Sequence, residues 1–459
     1  MAAPAGTARV GRDLTSGPIL GGLLLFAIPI VLTNIVQQLY SMVDLIVIGQ
    51  FVGNAGTIGV NTGGEAADML APVAMGLATA GQIYIAQLVG AKNDQGVKKT
   101  VGTLLTFMLG LAAAVAVILM ALCQPILNGL NCPEVGRSEA AAYMLITLAG
   151  TPFVFGYNAV VGILRGMGES KRPLYFIIVA AVINIVLDVL LVAVFQMGAA
   201  GTAIATIASQ FGSFLASFLF LYRRKDQFDF ELKLSYFKID FHILKIIIRL
   251  GIPQVVRSLF VRFGMLWVNS TANSFGEVVS TTNGVGNKIQ KFMEVFVQGI
   301  DTASASMIAQ NLGAKETGRA GKTTLYTAAS ALCCALATVL ICIFAPRAVF
   351  RAFTKDPAVI ELGVTFLRIF ILHFIMSALA GSFQAMVTGC GFVEMGFILG
   401  VLDGLVMKIG LSLLFMNVFH MGYEGLWWGV AASRIQTVII CVAYFLSGRW
   451  KTYQLLTDK

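Results

Sequence analysis

Long apolar stretches alternate with short polar breaks along almost the whole chain. They fall at about 18–50, 56–90, 98–122, 138–164, 173–196, 200–222, 244–274, 279–312, 320–345, 358–388, 394–419 and 425–447. Each exceeds the roughly 20 residues that an α-helix needs to cross the hydrocarbon of a bilayer, so the pattern predicts an all-α integral membrane protein with twelve transmembrane helices. The longest polar stretch, RRKDQFDFELKLSYFKIDFHI at 223–243, lies at the midpoint. The organisation expected is a cytoplasmic segment at 1–17, a first six-helix lobe at 18–222, a linker at 223–243, a second lobe at 244–447 and a tail at 448–459.

The two halves repeat one another. IAQLVGAK at 85–92 matches IAQNLGAK at 308–315, AIP at 27–29 matches GIP at 251–253, and GMG at 166–168 matches GCG at 389–391, with offsets of 223, 224 and 223 residues. Three anchors at one spacing point to a duplication. Because each half holds an even number of spans, both insert the same way up, as parallel repeats about a pseudo-twofold axis along the membrane normal. That arrangement favours a substrate path between the bundles. Pro29 and Pro253 lie inside the first span of each half, where the lost backbone hydrogen bond allows a kink; both are hinge candidates, and a static bend is the other reading.

Composition excludes a soluble globule. Hydrophobic residues make up 57% of the chain, charged ones only 12%, and mean hydropathy is +0.83, whereas soluble domains are about a quarter charged. The net charge of +9 is spread over loops and forms no stripe, which argues against nucleic acid and for anionic lipid headgroups. Lys92, Lys98, Lys99, Arg165, Lys171, Arg172, the basic residues of 223–249, Lys315, Arg319 and Lys322 all fall on the side of the termini. The positive-inside rule then makes both termini cytoplasmic, with Arg347, Arg351 and Lys355 as the dissent. The start, MAAPAGTARVGRDLTSG, lacks a signal-peptide pattern, so no cleavage is expected. Seven cysteines without CxxC spacing and three isolated histidines suggest no zinc-type metal site. Cys123 and Cys132 bracket one loop end and could pair on an oxidising side, although small apolar residues are the favoured reading. No nucleophile–base constellation marks an enzyme, and NST at 269–271 falls inside a span, away from glycosylation.

The candidate chemistry is polar groups at membrane depth. Asn184 and Asp188 sit four apart on one helix face, and Thr202 and Thr206 repeat that spacing on the next span. A carboxylate there costs roughly 2.5–3.5 kcal/mol on insertion scales, so it should face protein or water. Hard oxygen ligands of this kind suit a small cation, and a carboxylate alone can carry a proton; a polar pair that only glues helices together is the alternative. Thr33, Gln37, Tyr40 and Asp44 form a stripe on the first span that is expected to line water and to bring Asp44 towards Asp188. Two such carboxylates would share a proton or a cation.

The second half lacks these acids: at an offset of 224, Asp44 maps to Val268 and Thr33 to Arg257. It carries instead Arg257, Arg262, Lys288, Lys291, Glu294, Asp301, Asp403, Lys408 and Arg434, for which mutual pairing is the economical arrangement. Arg257, Arg262, Glu294 and Asp301 are substrate-cleft candidates, together with Thr33, Gln37 and Tyr40. Glu65 and Asp68 map at 223 onto Lys288 and Lys291, so these four are candidates for an outer ion-pair latch, with separate pairs inside each half as the alternative.

DLTSGPI (13–19), AIPIVLTNIVQQLYSMVDLIVIGQFVG (27–53), AQxxGA in both halves (86–91 and 309–314), GILRGMGESKRPL (162–174) and INIVLDVLL (183–191) together resemble the prokaryotic multidrug and toxic compound extrusion (MATE) transporters. The resemblance implies two six-helix bundles around a V-shaped central cleft. It also implies export of small organic, often cationic and amphipathic, compounds in exchange for Na+ or H+. By motif position it nominates Asp44, Asn184, Asp188 and Thr206 for the coupling ion, with Na+ as the metal, and Thr202 for a backbone carbonyl. No other cofactor is implied. The expected setting is a monomer in lipid of the bacterial inner membrane. The second repeat departs at 387–396, VTGCGFVEMG, which lacks the basic and proline residues, and the seventh span has arginines and no acid. The alternative function is a flippase for a lipid-linked anionic precursor; a channel is disfavoured because two bundles offer no closed ring of pore-lining repeats.

Overall fold

The structure, a computed structural model, describes residues 11–223 and 238–452. Most of the expected linker, with Arg224, Lys225 and Lys233, and the end of the expected tail lie outside the described residues. The described chain is helical, without a strand. The first half comprises α1 (Ile19–Phe51), α2 (Gly53–Gly90), α3 (Asp94–Ala121), the short α4 (Cys123–Gly129), α5 (Glu134–Ala149), α6 (Thr151–Gly166), α7 (Lys171–Asp188) and α8 (Gly198–Arg223). The second comprises α9 (Phe241–Ser274), α10 (Glu277–Gly313), α11 (Thr317–Phe344), the short α12 (Pro346–Arg351), α13 (Pro357–Cys390), α14 (Val393–Val401), α15 (Lys408–Leu413) and α16 (Gly422–Leu446). Widened π-helical turns extend α7 through Val189–Val194 and join α14 to α15 through Leu402–Met407; a third follows α15 at Leu414–Val418.

Every expected span has a long helical stretch. Nine helices in the described residues are long and apolar enough to cross a membrane, and α5 with α6, bent by 41° at Gly150, makes ten. The remaining two long helices are α9 and α10, which carry the charges noted above. Their residues 245–262 and 288–301 hold most of them.

Local chemistry explains the ends. Asn93 accepts the Gly96 N–H at 2.8 Å ahead of α3, and Asp356 accepts the Ala358 N–H at 2.8 Å ahead of α13, where Pro357 fits the first turn. Inside the helices, hydroxyls are satisfied at short range because lipid offers no partner. Ser209, Ser213 and Ser217 each donate to the carbonyl three residues back, and Thr327 bridges from α11 to Ser304 of α10 at 2.7 Å.

The duplication read from sequence recurs in the backbone. Left-handed residues pair up as Lys92 with Lys315, Gly168 with Gly391, Gln196 with His420 and Gly198 with Gly422, each 223 or 224 positions apart. Non-glycine residues rarely take that conformation, so two chains of turns with the same exceptions share one template. The close-approach glycines repeat as well. A side chain on Gly201 would press the Leu191 carbonyl carbon at 3.3 Å, and one on Gly425 would meet Met416 N at 2.7 Å.

Two compact units result, and they cut across the expected lobes of 18–222 and 244–447. One unit is Met1–Asp13 with Leu32–Gly251; the other is Leu14–Val31 with Ile252–Lys459. The reason is packing. Leu14, Leu23, Phe26, Ala27 and Ile30 are buried together with Ile300, Ala303 and Met307 of α10. The Leu14 N–H donates to Gln310 Oε1 at 3.3 Å, Asn311 Nδ2 donates to the Leu14 carbonyl at 3.1 Å, and Arg319 donates to the carbonyls of Ser16 and Gly17, both at 2.7 Å. The repeated AQxxGA motif thus holds a backbone segment that is remote in sequence. In the first unit the start of α9 is held in kind, where the Asp240 N–H donates to Thr103 Oγ1 at 3.1 Å and Gly251 lies against Leu77. Pro29 lies just before the change of unit in α1, and Pro253 just after the one in α9.

Candidate functional site

Helix α7 presents Asn184 and Asp188 on one face and ends there, because the next six residues widen into the π-helical turn. Phe195 N–H bonds the Leu190 carbonyl at 2.9 Å in that turn. Such bulges re-aim side chains and gather at functional positions. The left-handed residues Gln196 and Gly198 then reverse the chain. Glu139 of α5 accepts the Ala199 N–H at 3.0 Å, placing a carboxylate at the positive end of α8. Thr202 follows one turn later.

Asn184 and Thr202 are each 1% exposed and Asp188 is fully buried. Asp44, half-buried on α1, approaches them: Asp188 and Asn184 both lie near enough to act on its carboxyl. Tyr40 and Tyr143 stand close enough to feel the Asp44 charge, and Tyr143 also feels Asp188 and Asp68. Yet Asp44 Oδ1, both Asp188 oxygens, both polar atoms of the Asn184 amide and the Thr202 hydroxyl have no hydrogen-bond partner among the described residues. Buried polar groups are nearly always paired, and two bare carboxylates this near each other repel. The donor set, carboxylate, amide and hydroxyl oxygen, is the hard set a small cation prefers.

The remaining expected residues are distributed as follows. Thr206 is half-buried one turn beyond Thr202, and its carbonyl takes the Ser209 hydroxyl at 2.7 Å. Of the α1 stripe, Thr33 is buried, Tyr40 half-buried and Gln37 exposed. Glu65 and Asp68 belong to the first unit, and Lys288 and Lys291 to the second, where they border a cavity. Arg165, expected in a loop, is instead half-buried in α6 beside Tyr157. Cys123 and Cys132 are free thiols buried in one apolar cluster. Glu139 and Tyr143 were not singled out from sequence, although they lie four apart on one span and the same stripe test detects them.

In the second unit the buried charges form one network. Arg434 donates to Asp403 Oδ2 at 2.9 Å, and Arg257 lies in the field of Arg434, Asp403 and Asp301. Lys408, 5% exposed, faces Asp403 and Glu294. Glu294 Oε1 contacts His373 Nε2 at 2.7 Å and accepts from Gln290 Nε2 at 3.2 Å. Asp301 approaches Gly381 so closely that a Cβ there would lie 1.9 Å from its carboxylate, and Ser382 Oγ donates to it at 3.5 Å. Three cationic residues therefore face three acids, which is the economical pairing for charges out of water.

The MatE family profile matches residues 29–190 and again 253–414. The chain belongs to the MATE family. Both ends of the second match are displaced by the same amount, since 253 minus 29 and 414 minus 190 each give 224. The chain is 26% identical to the probable multidrug resistance protein YoeA of Bacillus subtilis over 442 residues, 94% of each chain. It is 26% identical to the probable multidrug resistance protein YpnP of the same organism, over 97% of this chain and 99% of that one. Among solved structures, one described as the outward-facing conformation of a multidrug resistance MATE family transporter superposes with a TM-score of 0.90 at 24% identity, covering 98% of this chain and 99% of the other. This MATE protein is a multi-pass membrane transporter and not an enzyme. At the 224-residue offset Asp44, Asn184, Asp188, Thr202 and Thr206 become Val268, Lys408, Ser412, Leu426 and Val430. The duplicated template therefore kept its turns while only the first copy kept the paired acids.

Proposed function

We propose that this MATE protein is a secondary antiporter that exports small organic, amphipathic or cationic compounds in exchange for Na+ or H+. The observation that carries the coupling site is the approach of Asp44 to Asp188 and Asn184, among buried oxygens that have no partner among the described residues. The names of the relatives, multidrug resistance proteins, support the cargo class. The balanced charges around Arg257, Glu294 and Asp301 support a cargo that need not be anionic. Loading the cation at Asp44 and Asp188, with Asn184, Thr202 and Thr206 as further oxygen donors, weakens cargo binding by moving or neutralising α1. Inward movement of each unit charge supplies about 2.3 kcal/mol per 100 mV. Pro29 and Pro253 act as hinges, a role supported by their place where α1 and α9 pass from one compact unit to the other. The protein works in the bacterial inner membrane with cytoplasmic termini, in keeping with its basic loops.

Efflux from inverted vesicles, with sodium and pH gradients imposed separately, tests the reading. One gradient should drive transport in wild type, and neither should do so in Asp44→Asn or Asp188→Asn. Undiminished gradient-driven efflux in both variants removes the coupling site. A lipid-linked precursor flipped with no gradient replaces antiport by lipid transfer.

A further inference from the structure

The end of α9 and the first turns of α10 enclose a cavity of about 350 Å³ wholly inside the second unit. It contains none of the residues assigned above to ion coupling. Its walls are unusual for a membrane helix pair: Asn269 and Asn273 stand four apart on α9, and Asn283 and Asn287 four apart on α10. Side chains with this spacing share a helix face, so four amides converge on one space.

Their carbonyl oxygens are largely engaged. Asn269 Oδ1 accepts from Asn283 Nδ2 at 2.8 Å and from Asn287 Nδ2 at 3.0 Å, which fills both of its lone pairs. Asn273 Oδ1 accepts the Ser280 hydroxyl at 2.6 Å, and Asn283 Oδ1 accepts the Trp427 indole N–H at 3.3 Å. The floor is rigid, with Asn283 only 3% exposed and Trp427 fully buried. The amide of Asn273 keeps both of its N–H groups for a ligand, while its oxygen is held by Ser280. Lys288 and Lys291, three apart on α10 and exposed, add two ammonium groups at the rim. No acidic side chain lines the cavity, and none is paired with either lysine among the described residues.

A recess with amide N–H groups, two ammonium groups and no carboxylate recognises an anionic oxygen group. We infer that this cavity is a phosphoryl-binding site that holds the phosphate of a small ester or of a lipid headgroup between the Asn273 amide and the ammonium groups of Lys288 and Lys291. Its volume lies at the small end of the range for ligand pockets, about 300–1,000 Å³, which suits a group the size of glycerol phosphate better than a drug-sized molecule. The site differs from the cation cluster in sign, in location and in partners.

The test is isothermal titration of glycerol 1-phosphate into the full-length protein in dodecyl maltoside, a detergent without phosphate, with glycerol as the control. Saturable binding of the phosphate ester alone is expected. Lys288→Gln with Lys291→Gln should weaken it at least about tenfold, the scale of one lost charge-assisted hydrogen bond. Asn273→Asp, which places a carboxylate at the rim, should do the same. Lys288→Arg with Lys291→Arg keeps both charges and should keep binding. Native mass spectrometry separates the two sources. Phosphatidylglycerol retained by wild type and lost from the glutamine variant identifies a lipid headgroup, and no retained lipid identifies a free ester. Equal titration curves for wild type and the glutamine variant, binding of glycerol as tight as that of its phosphate, or no saturable binding at all overturns the inference. The arginine variant, which should keep binding, guards against misfolding as the cause, and each of these outcomes leaves the Asp44–Asp188 reading intact.

Discussion

The Asp44 carboxyl lies close enough to that of Asp188, inside the first compact unit, for each to act on the other, with the Asn184 amide acting on both. Two acids from distant helices would not be driven together by packing, since α1 and α7 could bury leucines there at no electrostatic cost. Their approach is what the proposed coupling site requires.

A cation held by carboxylates competes with protons for the same oxygens. If sodium is the coupling ion, its apparent affinity should fall on acidification and recover as pH rises, by up to about tenfold per pH unit while one proton is displaced per ion. Binding of radiolabelled sodium at several pH values measures this. A sodium affinity independent of pH contradicts a carboxylate site, and no sodium response at any pH assigns the site to protons.

Asn311 holds the Leu14 carbonyl and the Met307 carbonyl with one amide nitrogen. Asn311→Ala removes a buried clasp and should cost about 1–3 kcal/mol. Hydrogen exchange of residues 14–17 should quicken, together with a lower Tm. Protection unchanged at Leu14 means that the Gln310 bond and the apolar cluster of α1 anchor the segment without Asn311.

Gly429 of α16 lies against Ser412 so tightly that a Cβ would sit 2.3 Å from both its N and Oγ. Gly429→Ala should destabilise by about 1–3 kcal/mol or more through overpacking. Gly410→Ala, where nothing lies within 4 Å of the new Cβ, is the matched control. Thermal unfolding of the two variants settles the point, and equal Tm values would contradict the close approach.

Arg434 is the partner of Asp403, a side chain only 3% exposed. Arg434→Ala leaves that carboxylate buried without its partner, a change that typically costs about 3–5 kcal/mol. Replacing both by apolar residues, Arg434→Met with Asp403→Leu, should recover most of the loss. A double variant no more stable than the single one would show that Arg434 acts through Glu294 and Asp301 and not through Asp403.

Most of the fold was legible in the sequence, because lipid forces every span to declare itself as an apolar run and the duplication leaves matched anchors. The approach of Asp44 to Asp188 was also readable, since an acid inside an apolar helix is costly enough to need a reason. The compact units were not. Hydropathy reports that 18–50 crosses the membrane but not which helices Leu23, Phe26 and Ile30 pack against, and the Leu14 clasp depends on Gln310 and Asn311 nearly three hundred residues away. The asparagine cavity escaped for a similar reason. Asn269, Asn273, Asn283 and Asn287 are polar but neutral, so charge does not mark them, and only the turn between α9 and α10 folds the two pairs onto each other.

Equilibrium binding of radiolabelled sodium to the purified protein, with proton release recorded in the same sample, bears most directly on the coupling site. Where sodium is the coupling ion, one sodium bound per chain with up to one proton released as it binds is expected in wild type, and neither in Asp188→Asn. The same uptake and release in Asp188→Asn as in wild type would contradict the account.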